Sequence, residues 1–77
     1  MKYKLKKTAT DEECNERNDI DQFGEYILDE CNSIKELDAR ACYISEHYKN
    51  SDEEINMRIV DSKGNNIHTY DEYGRVN

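Results

Sequence analysis

The chain has 77 residues, of which 35% are hydrophobic and 38% charged, with a formal net charge of −7. At that length it holds one small domain, residues 1–77, with a small core. Net acidity argues against nucleic acid or an anionic membrane as direct partner, and favours a basic protein partner or solubility alone.

The charge is unevenly placed. Residues 1–10 carry four lysines and no acid, residues 11–54 carry fifteen acids and four bases, and residues 55–77 carry three of each. There is no proline, glycine is scarce, and no repeat or linker stands out. Cys14, Cys31 and Cys42 are odd in number and form no CxxC pair, and no apolar run follows the N-terminal lysines. Reduced thiols and a cytoplasmic location are expected.

Met1–Thr8 alternates, with Tyr3 and Leu5 on one side and Lys2, Lys4 and Lys6 on the other. Period two predicts a half-buried strand, whose lysines would protect a sheet edge. Residues 9–21 have almost nothing apolar and read mainly as a loop. Residues 22–31 are open to two readings. Tyr26, Ile27 and Leu28 favour a strand with Tyr26 and Leu28 inward. A helix capped by Asp19, with Ile20, Phe23, Ile27 and Cys31 in one stripe, is the alternative, and Gly24 weighs against it.

Ser33 followed by Glu36 is a capping box. Ile34, Leu37, Ala41, Ile44 and Tyr48 then share one helical face, and Asn50-Ser51 ends the helix. From Ile55 to Tyr70 a hairpin is expected, turning at Gly64. Ile55, Met57, Ile59, Ile67 and Thr69 would lie on one face. The fold class is therefore α+β, a small antiparallel sheet with one main amphipathic helix, in the order ββαββ or, with the helical alternative, βααββ. The expected core is Tyr3, Leu5, Phe23, Tyr26, Leu28, Ile34, Leu37, Ala41, Ile44, Tyr48, Met57, Ile59 and Ile67.

Catalytic chemistry finds little support. Cys14, Cys31, Cys42, His47 and His68 have no zinc spacing, and Cys42 and His47 fall about 140° apart around a helix. No glycine-rich turn positions a nucleophile or cradles phosphate. A non-enzymatic protein with no metal and no cofactor is expected. The lysine strand is a weak nucleic-acid patch, because its tyrosine points to the other face and acids follow at once.

The acids and tyrosines carry more. Between residues 11 and 30 stand Asp11, Glu12, Glu13, Glu16, Asp19, Asp21, Glu25, Asp29 and Glu30, against one base, Arg17. Tyr43, Tyr70 and Tyr73 fall off the expected core stripes, and exposed tyrosine marks interfaces. Tyr70 and Tyr73 are the expected anchors. A sheet with one helix leaves a bare face, expected to show Ile27, Arg58, Val60, His68 and Tyr70.

In "DEECNERNDID" and "EYILDE" the chain resembles the small acidic inhibitors encoded by bacterial viruses, including DNA mimics and anti-CRISPR proteins. The resemblance covers about a quarter of the chain and is one of composition, with no motif. It implies an inhibitor that sets carboxylates where a basic, nucleic-acid-handling protein holds phosphates, in a bacterial host cytoplasm. It carries over no residue roles, and the four N-terminal lysines depart from it. The nine acids with Tyr70 and Tyr73 are the candidate partner-binding residues. The alternative is a small self-associating domain, a homodimer through the bare face, whose acids serve only solubility.

Overall fold

The computed structural model describes residues 2–76, so Met1, which opens the first predicted strand, lies outside the described residues. Strand β1 (Tyr3–Thr8) is followed by a short helix α1 (Asp11–Glu16), strand β2 (Glu25–Cys31), the main helix α2 (Ile34–Lys49) and strands β3 (Met57–Val60), β4 (Asn66–Asp71) and β5 (Gly74–Arg75). The strands form one antiparallel sheet in the order β2-β1-β3-β4-β5. The fold is α+β, as expected, with one helix and one strand more than the hydrophobic pattern suggested.

The extra helix corrects the reading of residues 9–21 as a loop. The Thr10 hydroxyl accepts the Glu13 N–H, and Glu13 accepts the Thr10 N–H in return, a reciprocal capping box. Asp11, Glu12 and Glu13 in the first turn suit the positive end of the helix dipole. None of its residues is buried, so hydrophobic periodicity could not have revealed it.

Residues 25–31 are a strand. The Asp21 carboxylate accepts the N–H groups of Phe23 and Glu25, and Gly24 sits at φ 74°. That turn ends any helix begun at Asp19 and delivers the chain into β2. Phe23, expected in the core, rides on the turn and is 66% exposed.

In α2 the Ser33 hydroxyl accepts the Glu36 N–H at 3.2 Å, as the capping signal implied. Leu37, Ala41 and Ser45 form its buried ridge, with Ile44 and Tyr48 half-buried beside it. The ridge lies on Leu5, Met57, Ile59 and Tyr70 of the sheet and on Ile55, which precedes β3. Gly64, at φ 86°, makes the turn between β3 and β4 where the sequence placed it.

Two register shifts break the alternation. One lies between Leu5 and Lys6 against β2, where Leu28 is the extra residue. The other lies between Ile59 and Val60 against β4, where Ile67 is the extra residue. The second reverses the phase of β4, so that Tyr70 faces Met57 and enters the core. No described helix is long and apolar enough to cross a membrane.

Ser45 is 1% exposed, and its hydroxyl has no hydrogen-bond partner among the described residues. A buried hydroxyl left unpaired costs about 1–3 kcal/mol. Ser45→Ala is therefore expected to raise the unfolding free energy by about 1 kcal/mol. Thermal melts would read this as a higher midpoint, and a lower one would contradict it.

Candidate protein-binding surface

The lysines of β1 do not guard an edge. β1 lies between β2 and β3, and each of its lysines meets an acid of the same chain. Glu30 stands opposite Lys4 and takes Lys2 and Lys4 at 3.7 and 3.9 Å. Lys6 pairs with Asp21 and lies 3.6 Å from Glu25. Glu25, only 7% exposed, receives a two-pronged bond from Arg58, at 2.8 and 2.7 Å. That geometry is the strong form of a charged hydrogen bond. The lysine strand thus supplies the counter-ions of the acidic segment beside it.

Lys7 points to the helix side, is 5% exposed, and donates to Glu13 at 2.6 Å. The other Glu13 oxygen accepts the Tyr26 hydroxyl. Burial of Glu13 acts to raise its pKa, but the bonds from Lys7, Tyr26 and the Thr10 N–H outweigh it and hold the group at about 2. Burial, and then the bond to Glu13, push the Tyr26 hydroxyl up. Arg17 lies over the Tyr26 ring at 3.8 Å and forks onto Asp19 at 2.8 and 2.7 Å. The bond from Arg17 keeps the Asp19 carboxyl below its usual range, and the bond from Lys6 does the same for Asp21. Helix α1, with no buried residue, is moored to the sheet by Glu13.

Five of the nine candidate acids are therefore engaged within the chain: Glu13, Asp19, Asp21, Glu25 and Glu30. Asp11, Glu12, Glu16 and Asp29 are exposed, and no described cation pairs with them. The fold also brings in two acids that sequence reasoning missed. Glu53 and Glu54, beyond the end of α2, line one open cleft of about 540 Å³ with Thr10, Asp11, Glu12 and Tyr48. The charge run at 52–54 was visible, but some forty residues separate it from α1. Only the return of the chain along α2 brings the two together. Lys7 and Glu13, bound to each other, form the floor of that cleft.

The two tyrosine anchors part company. Tyr73 is 76% exposed, beside a smaller cleft that also holds Glu46 and Glu72. Tyr70 is fully buried and donates to Asp38 at 2.5 Å, so it cannot be an anchor. Its exposure was expected from an unbroken alternation, which the shift at Ile59/Val60 defeats. The same shift sets His68 opposite Ile59, on the helix side. Val60 is 4% exposed, so the bare face reduces to Ile27, at 45%, with Arg58 and the paired charges.

Cys14 and Cys42 are exposed free thiols and Cys31 is half-buried. Among the described residues no three His, Cys, Asp or Glu side chains gather as a metal site would require. No protein-family model, curated protein or solved structure matches the chain.

Proposed function

We propose that this chain is a non-enzymatic binding protein whose acidic end occupies a basic, nucleic-acid-binding surface of a partner protein. One observation carries the reading. Asp11, Glu12, Glu53 and Glu54 line one open cleft, unpaired by any described cation, while the lysines that would repel a basic partner are neutralised in-chain.

The spacing suits the role. Glu12 and Glu16 are one helical turn apart, about 6 Å, and duplex DNA presents charges every few ångströms along its axis. Exposed carboxylates at that spacing can take the places of phosphates on lysine and arginine. The attraction is Coulombic and weakens with salt. On this reading the protein is an inhibitor of the type bacterial viruses encode, DNA mimic or anti-CRISPR, acting in the bacterial cytoplasm.

The test is capture from bacterial lysate on the tagged chain, followed by elution with DNA. A basic nucleic-acid-binding protein should be held at low salt and released by DNA. The triple variant Asp11→Lys, Glu12→Lys, Glu16→Lys should hold that protein at least tenfold more weakly at moderate salt. Equal affinity for the variant would remove the electrostatic reading.

Self-association is the second reading, favoured by the exposure of Phe23 and Ile27. Sedimentation would then show a dimer that Ile27→Lys splits, and a monomer at high concentration would end the idea.

A further inference from the structure

Strand β2 ends the sheet, and no described strand flanks its outer edge. It has seven residues, far more than the two of β5 at the opposite end, and Ile27, Asp29 and Glu30 are exposed along it. A free edge of that length offers backbone N–H and C=O groups to an added strand. At its start the Glu25 carbonyl is already taken by Asp21, and at its far end Asp29 accepts the Glu30 N–H. The open stretch therefore runs from Tyr26 to Asp29.

The inner edge of β2 already displays what it accepts. It pairs antiparallel with β1, whose sequence from residue 2 is KYKLKKT. On the face away from α2, Lys4 meets Glu30 and Lys6 reaches Glu25. On the helix face, Leu5 and Tyr3 continue the core to which Leu28 and Cys31 are joined. Side chains of β2 stand above and below the sheet, so a strand on either edge meets them. Asp29 has no described cation, and Glu30 keeps over a third of its side chain in solvent with only long contacts to Lys2 and Lys4.

We infer that the outer edge of β2 binds an extended segment of the basic partner in which Lys or Arg alternates with apolar residues, added antiparallel as β1 is on the inner edge. The cations would lie over Glu30 on the face away from α2, where Lys4 already meets it, and the apolar residues would cover Leu28 at the open flank of the core. This rests on the basic partner proposed above and adds a second contact to the acidic cleft. A second copy of this chain is a poorer occupant. Two β2 edges side by side would set Glu25, Asp29 and Glu30 of both copies in one ladder, where like charges repel.

The test uses the full chain, labelled with ¹⁵N, and two synthetic peptides of equal composition, KYKLKKT and KKKKYLT. The alternating peptide should shift the amides of Tyr26 to Glu30 saturably and bind at least tenfold more tightly than the clustered one. Glu30→Lys should weaken it about tenfold, and more than the Asp11, Glu12, Glu16 triple variant does. Equal affinity for the two peptides, shifts centred on residues 11–16 and 53–54, or no saturation up to millimolar peptide would each overturn the edge site. A chain that fails in this way but still captures a DNA-displaceable protein leaves the proposed function standing.

Discussion

Glu13→Ala is expected to lower the unfolding free energy by about 2–3 kcal/mol, a large effect for a surface helix with no buried residue. The substitution strips the buried Lys7 ammonium of its carboxylate and the Tyr26 hydroxyl of its acceptor. Lys7 keeps a 3.2 Å bond to the Thr8 carbonyl and the Tyr26 ring at 5.4 Å, so the loss stays below that of a fully orphaned charge. Helix α1 also loses its mooring and its capping box. Amide hydrogen exchange in residues 11–16 should rise while that in α2 stays slow.

The same carboxylate sets an acid limit. Its folded pKa, about 2, lies below the ordinary 4.5. Its stabilisation is therefore complete above pH 4.5 and is lost as the pH falls toward 2. Between those values the parent chain should lose about 2–3 kcal/mol more than Glu13→Ala does. Denaturant titrations of both chains at pH 6 and pH 2.5 measure this, and parallel losses would contradict the mooring.

Arg58→Met is expected to cost about 2–4 kcal/mol, since it leaves the buried Glu25 carboxylate with Lys6 alone. The pair itself is not a large net gain, because both charges gave up water to form it. Removing both partners should therefore restore most of the loss. Glu25→Leu with Arg58→Met is expected within about 1 kcal/mol of the parent chain, with Lys6 still held by Asp21. A double variant as unstable as the single one would show that the pair does more than satisfy two buried charges.

Much of this fold was legible because hydrophobic period and cap chemistry agreed. Ser33, Leu37 and Ala41 fixed the main helix, and Gly64 located the hairpin. Leu5, Tyr26, Met57 and Ile59 were placed in the core by plain alternation, and they lie there. Elements without an apolar stripe were harder. Helix α1 is built from polar caps and one ion pair, which a search for buried faces passes over. Tyr70 was misplaced for another reason. An extra residue in β4 costs nothing in composition, yet it moves every later side chain to the other face.

The candidate surface was legible only in outline. The acidity of residues 11–30 is plain, but which acids are spent within the chain depends on the fold, and five of the nine are. Nothing in the order of residues announces that Glu53 and Glu54 stand beside Asp11 and Glu12. That juxtaposition follows from the path of α2, and it adds two acids to the α1 end of the surface.

The most direct measurement is a competition on whichever basic protein the chain retains. Labelled DNA bound to that protein is titrated with the chain at moderate salt. If the acidic end takes the place of phosphates, DNA is displaced stoichiometrically, excess DNA reverses the effect, and the Asp11, Glu12, Glu16 triple variant displaces at least tenfold less. A ternary complex of DNA, partner and chain would contradict that account, since the two would then hold different surfaces.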